Sequence, residues 1–210
     1  MQVQESLFKL FANTPVAPSW VTFSEEVFLI LDTPPEWFIR RKKKFWTCAH
    51  HSLKAVIEGK TGELKKLRDY SCDWWSRLTY LMTPRGIKKI LRRHQLSFRT
   101  IKAKNLTVNQ KIDLLKQEMK RGPLILLIGN GLTLKKFFSW RKALTHWHYI
   151  TLRGYNDKEQ IFYVYDSNTK RKTEQYMMKW TVKIPYQYVI KSRSLGASKL
   201  LYNYAIGVEY

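Results

Sequence analysis

The stretch His148-Tyr-Ile-Thr-Leu-Arg-Gly154-Tyr155 is the most informative part of this sequence, because a histidine stands at the head of an apolar, alternating run. A second apolar run, Ile161-Phe-Tyr-Val-Tyr-Asp166, ends in an aspartate, and the polar residues 156–159 separate the two runs. This pattern predicts an antiparallel hairpin with a polar turn. The imidazole of His148 and the carboxylate of Asp166 would then lie at the ends of neighbouring strands.

Upstream, Cys48 opens the segment Cys48-Ala-His-His-Ser-Leu-Lys-Ala-Val-Ile57, whose apolar positions have helical spacing, and Gly59 is the predicted end of this helix. The N-terminus of a helix favours the thiolate, which is the reactive form of a cysteine. With His148 as base and Asp166 as the group that orients the imidazole, the set is what a thiol hydrolase needs. His146 shares a strand face with His148, but His148 directly precedes the apolar run and is the better candidate.

Between these segments the sequence predicts further helices and a buried strand. Thr83-Pro84 is a good helix start, and Thr107-Val-Asn-Gln110 matches a capping box. The run Leu124-Ile-Leu-Leu-Ile128, which follows Gly122-Pro123, is typical of a fully buried strand. Helices followed by a meander of strands indicate an α+β fold, with an N-terminal helical lobe packed on an antiparallel β-sheet.

The length of 210 residues and the hydrophobic content of 44% are sufficient for one domain with a sizeable core, spanning residues 1–210. Residues 1–39 contain several proline breakers and are expected to form an irregular N-terminal extension, with one strand around residues 26–31. Residues 171–210 are expected to supply C-terminal strands.

Over residues 40–170 the chain resembles the papain-like cysteine peptidases of the bacteriocin-processing, or double-glycine peptidase, type, including their stand-alone members. In that family a cysteine opens a helix in the pattern Cys-Gly-Pro-Ala-Ser-Leu, which Cys48-Ala-His-His-Ser52-Leu53 matches in part. The catalytic histidine heads the motif His-x-Val-Val-Val-x-Gly-Tyr, which His148–Tyr155 matches, and Asp166 occupies the place of the acidic residue. The resemblance implies a papain-like fold, a Cys48-His148-Asp166 triad, a thioester acyl-enzyme, and a peptide or protein substrate.

The sequence departs from the family pattern around the nucleophile. Ala49 and His50 stand where the family has glycine and proline, and Lys42 stands where it has the glutamine that donates to the oxyanion. The resemblance therefore implies oxyanion contacts from Lys42 and from the backbone N–H of Cys48. An ammonium can stabilise an oxyanion, although its flexible stem is less well preorganised than an amide.

The chain is strongly basic, with 38 Lys and Arg against 16 Asp and Glu and a formal net charge of +22. Such a charge predicts salt-sensitive attraction to polyanions, either nucleic acid or an anionic lipid membrane. A solvated, generally basic surface is the alternative interpretation. The densest run of basic residues, and the candidate polyanion-binding segment, is Arg40, Arg41, Lys42, Lys43 and Lys44.

Three hypotheses about function follow from these patterns. The first is a cysteine peptidase or amide hydrolase, the second is an acyltransferase or deamidase on the same scaffold, and the third is a non-enzymatic papain-like scaffold that binds a polyanion. No cofactor and no metal are expected, because the cysteines and histidines lack zinc spacing. The two cysteines, Cys48 and Cys72, are too few for a disulfide scaffold. The absence of a long apolar run predicts no transmembrane segment, and the absence of a secretory signal favours a cytoplasmic location, or export by a route that the sequence does not show.

Overall fold

A computed structural model describes residues 20–24, 27–30, 47–63, 65–79, 82–129, 148–167, 181–194, 201 and 203–210. Within these residues, eight strands form one sheet and five α-helices accompany it. The strands are β1 (Trp20–Ser24), β2 (Val27–Ile30), β3 (Phe98–Ile101), β4 (Leu124–Ile128), β5 (His148–Asn156), β6 (Ile161–Tyr165), β7 (Thr181–Pro185) and β8 (Ala205–Val208). The helices are α1 (Cys48–Thr61), α2 (Trp74–Thr79), α3 (Pro84–Arg93), α4 (Val108–Met119) and α5 (Tyr186–Arg193), and a 3₁₀ helix spans Leu67–Tyr70.

The strand β5 organises the sheet, in which every pairing is antiparallel. Strand β4 pairs with its first half and β2 with its second half, while β6 pairs along the opposite edge. The strand order is β1-β2-β5-β4-β8-β3, and β6 and β7 extend the sheet from β5 on the other side. The predicted hairpin is therefore present as β5 and β6, and the predicted α+β fold with a helical lobe on an antiparallel sheet is confirmed.

Helices cover both faces of the sheet, and β4 shows why this strand reads as an uninterrupted apolar run. Its side chains Ile125 and Leu127 pack with α1 and α3, whereas Leu124, Leu126 and Ile128 pack with α4 and α5. A strand that is buried on both faces has no polar face to present. The helical lobe expected from the N-terminal half is thus one of two helical layers around the sheet.

Local signals set most of the helix ends. Thr83 caps α3 by accepting a hydrogen bond from the backbone N–H of Gly86, and the Thr107–Gln110 capping box is formed at the start of α4. Helix α1 runs past the predicted end at Gly59, which lies inside it, and ends at Gly62 instead. Gly62 has a φ of 72°, the left-handed conformation that a helix C-terminus commonly requires.

The two ends of the chain differ from expectation in specific ways. Strands β1 and β2 form a hairpin inside the segment 1–39, which was expected to be irregular apart from one strand. The C-terminal segment contains β7, β8 and the helix α5, which was not predicted. Helix α5 follows Pro185 directly and buries Tyr186, Val189 and Ile190 at helical spacing, and β-branched residues in that stretch hide the helical signal.

Candidate active site

Cys48 is the first residue of α1, and it is buried. The first four N–H groups of a helix have no acceptor within the helix, and their partial positive charge favours an anion. The side chain of the preceding Thr47 makes no capping hydrogen bond, and the first turn contains no acidic residue. The N-terminus of α1 is therefore not neutralised by an acid of its own first turn, and Cys48 lies in that turn.

His148 and Asp166 lie at one end of the central hairpin. His148 is the first residue of β5, opposite Ile128 of β4, and Asp166 directly follows β6. Because the two strands are antiparallel, the start of β5 and the end of β6 meet, and Nε2 of His148 lies 2.8 Å from Oδ1 of Asp166. Both side chains are buried. The hairpin therefore brings His148 and Asp166 into contact.

The three candidate residues form one hydrogen-bonded series. His148 makes a second side-chain hydrogen bond, to Cys48, and since Nε2 is engaged by Asp166, Nδ1 is the ring nitrogen left for the thiol. Burial alone would lower the pKa of His148, because it penalises the imidazolium. The charge and hydrogen bond of Asp166, together with Cys48, outweigh that penalty and raise the pKa well above its usual value. The charge and hydrogen bond of Asp166 therefore favour the imidazolium form of His148.

Most of the other predicted site residues lie outside the part of the chain that the structure describes. Lys42, the expected side-chain donor to an oxyanion, lies outside the described residues, as does His146. The same holds for the remaining basic residues of the candidate polyanion-binding segment, which are Arg40, Arg41, Lys43 and Lys44. The backbone N–H of Cys48, the other expected donor, lies in the first turn of α1, where helical N–H groups are available to a ligand.

His50, which stands where the family has proline, has a structural setting that the sequence did not reveal. It is fully buried, and its Nε2 lies 3.0 Å from Oγ of Ser71, in the segment between the 3₁₀ helix and α2. Burial lowers the pKa of His50 to about 4, so this imidazole is neutral at physiological pH. His50 therefore joins α1 to residue 71 and does not compete with His148 as the charged partner of the thiol.

A buried carboxylate holds the other end of α1. Glu58 accepts hydrogen bonds from Lys54, from the hydroxyl of Tyr70 at 2.6 Å and from the backbone N–H of Lys65 at 2.8 Å. These contacts fasten residues 65–70 to the helix. The spacing of Lys54 and Glu58 on one helix face was visible in the sequence, but the partners in residues 65–70 come from the tertiary fold.

The part of the chain that the structure describes contains neither a metal-binding cluster nor a membrane-spanning helix. No group of three or more histidines, cysteines, aspartates or glutamates is arranged there to hold a metal ion. The helices of that part are all too short or too polar to cross a membrane.

The fold is that of the papain-like cysteine peptidases, with a cysteine at the start of a helix that packs on the strand carrying a histidine. The chain belongs to the Peptidase_C39 like family, whose model matches residues 60–191. This match includes His148 and Asp166 and begins after Cys48. Membership places the protein in the class of cysteine peptidase-like hydrolases, as the resemblance implied.

Two solved structures are similar to the chain in fold. One is described as a C39-like peptidase from Bacillus anthracis, with a TM-score of 0.54 and 13% sequence identity, covering 87% of this chain and 96% of that one. The other is a double glycine motif protease from an AMS/PCAT transporter in complex with the leader peptide, with a TM-score of 0.49 and 16% identity, covering 81% and 89%. No curated protein matches the sequence.

Proposed function

We propose that this protein is a cysteine peptidase in which Cys48 is the nucleophile, His148 the general base and acid, and Asp166 the carboxylate that orients the imidazole. The observation that carries the proposal is the hydrogen-bonded series itself. His148 contacts Cys48 on one side and Asp166, at 2.8 Å, on the other, and all three side chains are buried at one end of β5. This is the arrangement of an activated thiol nucleophile with a positioned base.

The proposed reaction is acyl transfer through a thioester. The thiolate of Cys48 attacks the carbonyl carbon of an amide, and the imidazolium of His148 gives its proton to the nitrogen as the C–N bond breaks. His148 then takes a proton from a water molecule, the resulting hydroxide attacks the thioester, and the thiolate leaves. The backbone N–H of Cys48 and the side chain of Lys42 are the proposed donors to the oxyanion in both steps.

A peptide or protein is the proposed substrate class. The double glycine motif protease is described in complex with a leader peptide, and that description applies to that protein alone. For this chain the support is the family and the amide chemistry that a Cys-His-Asp arrangement performs. An acyltransferase or deamidase would form the same thioester, so partition of the acyl group between water and an added amine distinguishes these reactions.

The first experiment measures alkylation of Cys48 by iodoacetamide against pH, with each cysteine followed separately by peptide mass spectrometry. We expect rapid alkylation of Cys48 near pH 6, because the thiol is paired with the imidazolium of His148. In a His148→Ala variant, rapid alkylation should require a pH near the pKa of a free thiol, which is about 8.5. Cys72 is the internal control, since burial raises the pKa of its thiol and no imidazolium is among the causes of that shift.

Two outcomes would contradict the proposal. Equal pH profiles for Cys48 in the wild type and in His148→Ala would show that no thiolate–imidazolium pair exists. Amide hydrolysis that survives in Cys48→Ala, measured with a quenched fluorescent peptide library, would show that another group carries the reaction. Loss of hydrolysis in Cys48→Ala, with an unchanged midpoint of thermal unfolding, would directly support Cys48 as the nucleophile.

A further inference from the structure

Helix α2 presents its large apolar side chains to solvent. Trp74 is 71% exposed, Trp75 is 54% exposed and Leu78 is 66% exposed. Among the described residues, the one other large hydrophobic side chain with comparable exposure is Val108, at 48%. A contiguous exposed patch of this kind, unlike a single exposed leucine, generally marks an interaction site.

The helix is held in this orientation by polar contacts on its inner side. Asp73 accepts a hydrogen bond from the backbone N–H of Ser76 at 2.7 Å, and the Ser76 hydroxyl accepts from the backbone N–H of Asp73 at 3.1 Å. Ser76 is buried, and its hydroxyl also accepts from the backbone N–H of Cys72 at 2.9 Å. The buried Ser76 therefore lies on the inward face of α2, and Trp74 and Trp75 lie on its outward face.

A stripe of basic residues on α3 lies beside this patch. Arg85, Lys89, Arg92 and Arg93 are exposed, and their spacing places them on one side of the helix. The stripe is attached to the base of α2, because the guanidinium of Arg93 donates to the carbonyl oxygens of Ser71, at 3.2 Å, and Cys72, at 3.4 Å. Residues 73–93 contain six Lys and Arg against one acidic residue, Asp73, so this segment carries a formal net charge of +5.

We propose that the Trp74/Trp75/Leu78 patch, with the basic residues beside it, is a docking surface for an anionic lipid membrane. Tryptophan favours the membrane–water interface, where its ring is apolar and its N–H remains in contact with polar groups. Lysine and arginine beside such a patch attract the anionic headgroups. The apolar patch inserts at the headgroup boundary, and α1, to which Ser71 is hydrogen-bonded through His50, is held above the membrane surface.

The shape of the patch favours a membrane over a single-stranded nucleic acid. The rings of Trp74 and Trp75 are nearly perpendicular, at 82°, and so do not form a parallel platform on which successive bases could stack. Leu78 offers neither a ring face nor a hydrogen bond to a base. All three side chains suit insertion into a nonpolar layer, which requires no such directional contact.

The test measures flotation of the full-length protein with phosphatidylcholine vesicles, prepared with and without phosphatidylserine. We expect binding to the vesicles that contain phosphatidylserine, and at least a ten-fold weaker lipid affinity for a Trp74→Ser/Trp75→Ser variant. Val108→Ser removes an exposed apolar side chain elsewhere and should bind like the wild type. Cys48→Ala should also bind like the wild type, so this test is independent of the proposed catalysis.

A second variant addresses the charge and does not depend on the folding of the first. Arg77 is exposed on α2 itself, and Lys89 belongs to the basic stripe on α3. Arg77→Gln/Lys89→Gln should weaken binding at least ten-fold, because each basic residue near an anionic surface contributes about a five-fold affinity. Lys120→Gln/Arg121→Gln removes the same charge from exposed positions after α4 and should have a smaller effect. The proposal is overturned if the wild type does not float with anionic vesicles, if both tryptophan positions can be changed without loss, or if the patch is needed for binding a single-stranded oligonucleotide and not for vesicles.

Discussion

Asp166 is the residue whose charge most strongly supports a protonated His148. Asn at this position keeps an acceptor for the imidazole but removes the charge, so the pKa of His148 should fall. The raised pKa keeps His148 protonated up to high pH in the wild type. In Asp166→Asn the imidazolium should therefore lose its proton at a lower pH. We also expect amide hydrolysis to fall by about two to four orders of magnitude.

The measurement is the pH profile of Cys48 alkylation together with the rate of peptide hydrolysis. Asp113→Asn, on the exposed side of α4, removes the same charge away from the site and should change neither. An unchanged alkaline limb in Asp166→Asn would show that the carboxylate does not set the protonation of His148.

His50 makes a prediction about stability rather than reactivity. Its pKa is about 4 in the folded protein and about 6.5 in an unfolded chain, so the unfolded state takes up the proton first as the pH falls. The stability that neutral His50 contributes is fully present above pH ~6.5 and is lost progressively down to pH ~4, by a total of about 3 kcal/mol. In His50→Gln the free energy of unfolding should fall less steeply over this pH range.

Urea unfolding at several pH values between 4 and 7 measures this slope, with each variant compared with its own value at pH 7. His94→Gln is the control, since His94 is only half-buried and its replacement should flatten the curve less. Equal slopes for the wild type and His50→Gln would mean that His50 is not the titrating group.

At the scale of single residues, the sequence was informative where chemistry and local pattern coincide. Cys48, His148 and Asp166 each mark the end of a regular apolar segment, and the structure brings these three residues together. The partner of His50 could not be predicted, because Ser71 is 21 residues away and the contact depends on how the chain returns to α1. Periodicity indicates which face of a helix or strand is buried, but it does not indicate which residues that face contacts.

At the scale of elements, the turn between α4 and β4 depends on Gly122. Its φ is 145°, and a β-carbon added there would lie 1.9 Å from the carbonyl oxygen of Val208 in β8. That oxygen belongs to the backbone, and the N–H of the same residue donates to the carbonyl oxygen of Pro123 at 3.0 Å, so Val208 has little freedom to move. We expect Gly122→Ala to lower the free energy of unfolding by about 3 kcal/mol or more.

Gly62→Ala provides the matched control in chemical denaturation. Gly62 has a left-handed conformation with a φ of 72°, but no atom lies within 4 Å of an added β-carbon, so only backbone strain of about 1 kcal/mol is expected. Equal effects at the two glycines would contradict the steric explanation for Gly122.

The sequence predicted the types of most elements better than their ends and connections. Capping at Thr83 and Thr107 follows from hydrogen bonds within three residues, and both were correct. The end of α1 was placed at Gly59, but buried contacts extend the helix and Gly62 ends it. Likewise α5 was missed, because its helical spacing is carried by residues that equally favour strands.

At the scale of the whole molecule, the net charge of +22 still predicts binding to polyanions through Arg40–Lys44. Replacement of these five residues by Gln should lower the salt concentration at which the protein elutes from heparin, because fewer counterions are exchanged on binding. Cys48→Ala should elute like the wild type. Identical elution of the five-residue variant would assign the attraction to the rest of the basic surface.

The global arrangement contains information that no local pattern carries. The order of helices and strands was sufficient to predict an α+β fold, but β5 as the centre of the sheet and β8 between β4 and β3 were not predictable. These pairings join residues far apart in sequence, and alternative pairings of similar apolar strands satisfy the same periodicity. The burial of β4 on both faces, by contrast, is predicted directly by its five consecutive apolar residues.

The interior position of β8 has a consequence for the timing of activity during synthesis. Residues 205–208 are added to the chain long after Cys48 and His148, yet they fill the gap between β4 and β3, and the hydroxyl of Tyr210 then binds Val56 of α1 at 2.7 Å. A nascent chain that has reached only β7 lacks the strand beside β4 and the contact that ties α1 to it. We therefore expect the thiol of Cys48 in such a chain to react like an ordinary cysteine, because the proposed pairing with His148 depends on a complete sheet.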